Sequence, residues 1–65
     1  MKLITKAEWE EFSPFAKGYA LYMQEAHPGS ELKGLKNPYP AGSAEAKEFD
    51  RGEIQATLDV QDGEE

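Results

Sequence analysis

The alternation of apolar and polar positions divides the chain into helical segments separated by turns that contain proline and glycine. The first segment follows a capping box, in which the Thr5 hydroxyl accepts from the Glu8 amide and the Glu8 carboxylate accepts from the Thr5 amide. Ile4 and Trp9 occupy the two hydrophobic-staple positions around this cap. Pro14 disfavours helical geometry at the residue before it, so the first helix is predicted to be short.

A second helix is predicted from Pro14 to about Ala26, with Ser13 as its N-cap. Its apolar residues recur with helical spacing and form one stripe, the pattern of a helix face that packs against other elements. That stripe consists of Phe15, Tyr19, Tyr22, Met23 and Ala26. Gly18 within the helix costs up to about 1 kcal/mol relative to alanine, but it would let another backbone approach closely. The two segments are alternatively one helix that is kinked at Pro14.

An ordered loop is predicted before the last helix, because a Pro-Gly pair follows His27 and residues 31–41 show no apolar period. Pro38 and Pro40 bracket Tyr39 and stiffen the chain around it. The loop is therefore expected to present Tyr39 on a rigid arch. The ring either folds back onto the helices as part of the core or remains available to a partner.

The last helix is predicted from Ala44 to about Leu58, with Ser43 as its N-cap. Gly52 is expected to weaken its middle. The apolar residues form a seam and an offset pair, namely Ala46, Phe49, Ala56 and Val60, with Glu53 interrupting the seam, and then Ile54 and Leu58.

A chain of 65 residues supplies one small domain, because such a chain buries only about 60% of the surface that it exposes when unfolded. The pattern predicts an all-α fold, a small bundle of two or three helices with a Pro-rich ordered loop between the last two. Residues 1–61 would form the helical domain and residues 62–65 an acidic flexible tail. No cysteine is present, so neither a disulfide nor a thiolate–metal site can stabilise the fold.

The net charge of −6 is concentrated in the second half of the chain. Residues 1–36 carry five lysines and five glutamates, whereas residues 37–65 carry two basic and eight acidic residues. Direct nucleic-acid binding is not expected, because affinity for a phosphate backbone comes from Lys and Arg that displace counterions. A basic protein surface would be attracted instead. The N-terminal sequence has no long apolar run before its first charges, so a cytoplasmic protein without a membrane segment is expected.

The candidate partner-binding residues are the carboxylates of the last helix and the arch tyrosine, namely Glu45, Glu48, Asp50, Glu53, Asp59 and Tyr39. Carboxylates three residues apart can share a helix face, and a solvated surface is the usual reason for such a pattern. A metal site would need ligands that converge from several elements, which no sequence feature marks. His27 is expected to cap a helix end. No nucleophile–base pair or phosphate loop is recognisable, so no catalytic residue, metal or cofactor is predicted.

Most of the seven aromatic side chains are expected in the core, with one or two exposed at a protein interface. Base stacking is not expected, because stacking sites are surrounded by Lys and Arg. The aromatic residues are Trp9, Phe12, Phe15, Tyr19, Tyr22, Tyr39 and Phe49.

Three short segments carry a resemblance to a known family. They are Gly18-Tyr19, Asn37-Pro38-Tyr39 and Phe49-Asp50-Arg51-Gly52-Glu53. They resemble the Gly-Tyr, the Cys-Pro-Tyr or Asn-Pro-Tyr arch, and the Trp-x-x-Gly-Trp helix of the ribosome modulation factor family, a group of very short bacterial and phage proteins. The likeness covers about residues 14–58 and implies a paired-helix fold and an association with the ribosome. Phe49 and Glu53 stand where the family has tryptophans, and the acidic second half departs from the strongly basic founding member.

The leading hypothesis is a non-enzymatic protein whose acidic second half docks on a basic, nucleic-acid-binding surface of a larger protein as an inhibitor or modulator. Phage inhibitors that mimic nucleic-acid charge are one form of this function. The alternative, implied by the resemblance, is a ribosome-associated regulator that contacts RNA through lysines. A homo-oligomer is a third hypothesis, since a small chain gains core by pairing. The lysines that the alternative requires are Lys2, Lys6, Lys17, Lys33 and Lys36.

Overall fold

Three α-helices follow one another along residues 2–63, the part of the chain that the computed structural model describes. Helix α1 is Lys6–Glu10, helix α2 is Pro14–Gln24 and helix α3 is Ala44–Gly63. No strand is present within residues 2–63. The predicted all-α fold is confirmed, with three helices and a Pro-containing loop between the last two. The first two helical segments are separate helices rather than one kinked helix.

Each helix begins at the cap that the sequence predicts. The Thr5 hydroxyl accepts from the Glu8 amide at 3.1 Å, and the Glu8 carboxylate accepts from the Thr5 amide at 3.0 Å. The bond from the Thr5 amide, followed by one that the Thr5 hydroxyl donates to the same carboxylate at 3.2 Å, lowers the pKa of the Glu8 carboxyl, because both favour its ionised form. Ser13 and Ser43 begin α2 and α3 in the same way, since each hydroxyl accepts from the backbone amide three residues later.

The centre of the core is a cluster of four buried side chains: Trp9, Leu21, Leu32 and Phe49. The Trp9 and Phe49 rings meet edge to face, with their centroids 6.4 Å apart. The indole nitrogen of Trp9 donates to the carbonyl oxygen of Lys17 at 2.9 Å, which joins α1 to α2. Leu32 is fully buried although it belongs to the loop. The sequence pattern does not predict this burial, because Leu32 and Leu35 alone are too few to establish a period.

Helices α2 and α3 touch through two glycines. A Cβ atom added to Gly18 would overlap the carbonyl oxygen of Phe49, and one added to Gly52 would overlap the carbonyl oxygen of Phe15. The expected close approach at Gly18 is thus confirmed. Gly52, which was expected only to weaken its helix, is required for the same contact, because any side chain there would push the two backbones apart.

The buried face of α2 is not the apolar stripe that the sequence predicts. Gly18, Leu21 and Gln24 are the buried residues of this helix, which ends two residues earlier than expected. The backbone contact at Gly18 and the hydrogen bonds of Gln24 fix the rotation of α2 about its axis. The stripe residues lie toward solvent: Phe15 and Tyr22 are each 38% exposed, Tyr19 and Met23 are half-buried, and Ala26 is exposed.

The expectation that most aromatic side chains contribute to the core, with one or two exposed, is confirmed. Trp9 and Phe49 are buried, Phe12 and Tyr39 pack against the buried cluster, and Phe15 and Tyr22 are the exposed ones.

The N-terminal segment is held against the end of α2 and the loop. The Gln24 carboxamide accepts from the Ile4 amide and donates to the Lys2 carbonyl oxygen, each at 3.0 Å. The Glu31 carboxylate accepts from the Lys6 amide at 3.1 Å. Residues 2–6 and the start of the loop therefore lie side by side.

The Pro-rich arch packs between α2 and α3. The Asn37 side chain accepts from the Tyr39 amide at 3.0 Å and donates to the Ala46 carbonyl oxygen at 3.3 Å, which ties the arch to α3. The Tyr39 ring packs against the core, and its hydroxyl accepts from the Lys17 ammonium at 2.8 Å. Tyr39 was expected either to pack in the core or to remain available to a partner, and its ring packs against the core.

Helix α3 continues through Gly63, beyond the end predicted near Leu58. The predicted flexible tail starts at Asp62, which is helical here, while its last residues Glu64 and Glu65 lie outside the described residues. The seam is confirmed, because Ala46, Phe49 and Ala56 are buried, Val60 is half-buried, and the offset pair Ile54 and Leu58 is exposed.

Candidate functional site

The five carboxylates proposed from the sequence lie on both sides of the buried seam of α3. Successive residues of an α-helix are rotated by about 100°. This rotation places Glu48 and Asp59 on one flank of the seam and Asp50 and Glu53 on the other. Glu45 is exposed in the first turn. The acidic surface is therefore divided into two flanks and does not form one continuous face.

Glu53, on the second of these flanks, is influenced by the charges of two other carboxylates. Glu53 is partly buried, and this burial raises the pKa of its carboxyl group. The negative charges of Asp50 on the same helix and Glu25 at the end of α2 raise that pKa further. The repulsion means that a cation placed between these groups would be bound favourably.

No cation within the described residues forms an ion pair with this acidic flank. Within residues 2–63 the single ion pair joins Arg51 and Glu48 at 3.3 Å, on the exposed surface of α3. No three His, Asp or Glu side chains within that range are close enough together to hold a metal ion. The flank can thus attract the ammonium or guanidinium groups of another molecule.

Asp59, on the opposite flank, is fixed by two hydrogen bonds. The Tyr19 hydroxyl donates to one carboxylate oxygen at 2.5 Å, and the Gln55 amide donates to the other at 2.9 Å. The bond from Tyr19, followed by that from Gln55, lowers the pKa of Asp59. The same bond is the main reason that the pKa of the Tyr19 phenol is raised. The Asp59 carboxylate is therefore held ionised and in one orientation.

Beside Tyr19 the outer surface of α2 contains an open groove of about 370 Å³. The Phe15 and Tyr19 rings stack along its wall, with centroids 6.5 Å apart and planes inclined by 22°. The groove is lined by aromatic and alanine side chains, namely Phe12, Phe15, Ala16, Tyr19 and Ala20. The sequence does not predict a site here. The helical stripe that contains Phe15 and Tyr19 is the relevant signal, but its spacing alone predicts a face that packs in the core.

Tyr39, the remaining predicted partner-binding residue, is engaged with Lys17. The Lys17 ammonium lies 4.9 Å from the Tyr39 ring centroid and 5.7 Å from that of Trp9. Such cation–π contacts hold the ammonium group against the core margin. Lys17 is thus occupied inside the protein, whereas the other lysines proposed for RNA contact are exposed: Lys2, Lys6, Lys33 and Lys36.

No protein-family model matches the sequence, and no curated protein or solved structure is significantly similar to it. The resemblance to the ribosome modulation factor family therefore stays a prediction. Among the segments that carry it, Gly18 touches the backbone of Phe49, and Tyr39 packs against the buried cluster that contains Phe49.

None of the helices within residues 2–63 combines the length and the apolar character needed to span a lipid bilayer.

Proposed function

We propose that this chain is a small, acidic, non-enzymatic protein that docks on a basic surface of a larger protein and inhibits or modulates it. The observation that carries the proposal is the acidic second half of the chain, in which Asp50 and Glu53 form no ion pair with a cation within residues 2–63. The proposed location is the cytoplasm, where nucleic-acid-binding proteins offer basic surfaces of this kind. A phage-encoded inhibitor that mimics nucleic-acid charge would act in this manner.

Electrostatic repulsion supports binding to a cationic partner. The raised pKa of Glu53 means that its ionised form is disfavoured by burial and by the charges of Asp50 and Glu25. Lys or Arg side chains of a partner would replace this repulsion with attraction. The field of the acidic flank would also steer the encounter, so the association rate should fall as salt is added.

The test compares two variants that lose the same charge. Asp50→Asn with Glu53→Gln neutralises the acidic flank, whereas Glu10→Gln with Glu11→Gln neutralises two exposed carboxylates at the end of α1. Each variant and the wild-type chain would be used to capture proteins from a cell lysate for mass spectrometry. The association rate of the purified partner would then be measured at low and high salt.

We expect the flank variant to slow association by up to about tenfold at low salt, and the α1 variant to have a smaller effect. Equal association rates for both variants, together with no dependence on salt, would contradict the proposal. Capture of nucleic acid in place of a protein would also contradict it.

A ribosome-associated regulator is the second candidate. The observation that favours it is the hydrogen bond from the Lys6 amide to Glu31, which joins the two segments that carry the exposed lysines. Lys2 and Lys6 come from one segment, and Lys33 and Lys36 come from the other. Their ammonium groups would contact phosphates, so Lys33→Glu with Lys36→Glu should abolish co-sedimentation with ribosomes at moderate salt. Failure of the wild-type chain to co-sediment would eliminate this candidate.

A further inference from the structure

The groove on α2 is an apolar surface that this small domain leaves open. Its wall contains the Phe15 ring, which remains 38% exposed, and its floor contains Ala16. A chain of this length has few large apolar side chains with which to build a core. Exposed apolar grooves with aromatic walls are typical of sites that bind another protein.

The groove is held in a defined shape. Tyr19 forms one wall, and its hydroxyl is bonded to Asp59, which in turn accepts from Gln55. Gly18 and Gly52 fix the backbone of α2 against α3, so the helix cannot roll to close the groove. A partner would therefore bind a surface that is already ordered, so little conformational entropy would be lost from this surface on binding.

The fixed charge at the edge of the groove is negative. The Asp59 carboxylate accepts one hydrogen bond at each oxygen, and an ionised carboxylate offers about four acceptor positions. Lys17, the only basic residue of α2, is directed to Tyr39 and Trp9. An arriving ammonium or guanidinium group could therefore bind Asp59 without competition from a cation on α2.

We propose that the α2 groove binds an amphipathic helix of the target protein, which places apolar side chains against Phe15 and Ala16 and a Lys or Arg beside Asp59. Helices bound in grooves insert apolar residues spaced three, four and seven positions apart. This inference rests on the proposed function and names the element of the partner that is recognised. A second copy of this chain is a poorer occupant, because each copy carries a net charge of −6 and would bring like charge to the Asp59 edge.

The test uses the full chain and three synthetic helical peptides of about four turns. One peptide has Leu at positions three and four residues apart and Lys at the positions on the opposite side, which gives a helix with an apolar and a basic face. The second keeps the same lysines but replaces each Leu with Ser, and the third replaces each Lys of the first with Glu. Dissociation constants would be measured by fluorescence anisotropy.

Two variants of the protein complete the test. Ala16→Gln places a larger side chain in the lining of the groove, and Ala44→Gln, at an exposed position of α3, is the matched control.

We expect the Leu/Lys peptide to bind at least about tenfold more tightly than the Ser/Lys peptide. Ala16→Gln should remove that advantage, and Ala44→Gln should preserve it. Equal binding of the two lysine peptides, unaffected by Ala16→Gln, would overturn the groove inference but leave the proposed function intact. Absence of binding by both lysine peptides would overturn the groove inference, whereas the proposed function is decided separately by the association rates of the flank variant.

Two further outcomes would identify a different occupant. Binding of the Leu/Glu peptide as tightly as the Leu/Lys peptide would show that the groove does not select cations, which overturns the inference. A wild-type dimer in sedimentation equilibrium that Ala16→Gln dissociates would show that a second copy fills the groove, which also overturns it.

Discussion

Helix α2 buries the face that has fewer large apolar side chains and exposes the face that has more of them. The inner face consists of Gly18, Leu21 and Gln24, of which only one is a large apolar residue. The outer face carries two aromatic rings, Phe15 and Tyr22, that are each 38% exposed. In this small domain, the face of a helix that becomes buried is determined by backbone approach and hydrogen bonding as well as by apolar area.

Each inner residue has a specific contact that the outer residues lack. Gly18 lets the backbone of α3 approach. Leu21 belongs to the buried cluster with Trp9. Gln24 satisfies backbone groups of the N-terminal segment, which would otherwise lose their partners on burial. Of the two outer aromatic residues, Phe15 lines the groove that is proposed to bind a partner.

The largest expected effect comes from shortening the apolar residue of the inner face. Leu21→Ala should lower the free energy of unfolding by about 2–5 kcal/mol, because it removes buried contacts and leaves a cavity. Leu58→Ala is the chemically matched control on the exposed face of α3, where Leu58 is 49% exposed. It should cost less than about 1 kcal/mol. Urea denaturation measures both values, and equal losses would show that the inner face is not the core.

A smaller effect is expected from adding one methyl group to the helix crossing. Gly18→Ala should destabilise the protein by about 1–3 kcal/mol, because the new Cβ would overlap the Phe49 carbonyl oxygen. Helix propensity alone predicts a gain of about 1 kcal/mol from the same change. The reverse substitution on the outer face, Ala16→Gly, should cost about 1 kcal/mol through propensity. A stabilised Gly18→Ala variant in urea denaturation would show that the helices do not cross at this residue.

The smallest effect concerns the partly buried carboxyl group of Glu53. Because its pKa is raised in the folded protein, the folded state binds a proton more readily than the unfolded state does. The free energy of unfolding should therefore fall as pH rises from the ordinary pKa of glutamate through the raised one. Glu53→Gln should abolish this loss and stabilise the protein at neutral pH by no more than about 0.5 kcal/mol, since solvent screens the group.

The control for this pH dependence is Glu10→Gln, which removes the same charge from the exposed surface of α1. Denaturation curves for the wild type and both variants, recorded between about pH 3 and pH 7, measure the difference. The difference in the free energy of unfolding between Glu53→Gln and the wild type should shrink as the pH is lowered. A difference that stays constant over this range, or that grows toward acid, would contradict the raised pKa of Glu53.

Local signals in the sequence predict the helix starts well. The Thr5–Glu8 capping box, the Ser13 cap and the Ser43 cap all form. Each depends on residues within four positions of one another, so no knowledge of the tertiary structure is needed to recognise them. A close backbone approach at Gly18 was also predicted, because a glycine inside a helix otherwise has only a cost, but the sequence did not say that α3 is the element that approaches.

Long-range features of the candidate site were not predictable in the same way. The bond from Tyr19 to Asp59 joins residues 40 positions apart, and neither residue alone suggests the other. Leu32 is fully buried although nothing near it in the sequence is periodic. The groove on α2 required knowing which face of the helix turns away from α3.

Sequence alone thus specifies an all-α chain with capped helices, a stiff arch around Tyr39 and an acidic second half. Only the packing of the helices decides which side of α2 is covered, where the carboxylates of α3 gather and which aromatic rings remain in contact with water. The reason is physical. Caps and turns are satisfied by neighbouring atoms, whereas burial is shared among distant residues, and here two glycine contacts set the rotation of one helix against the other.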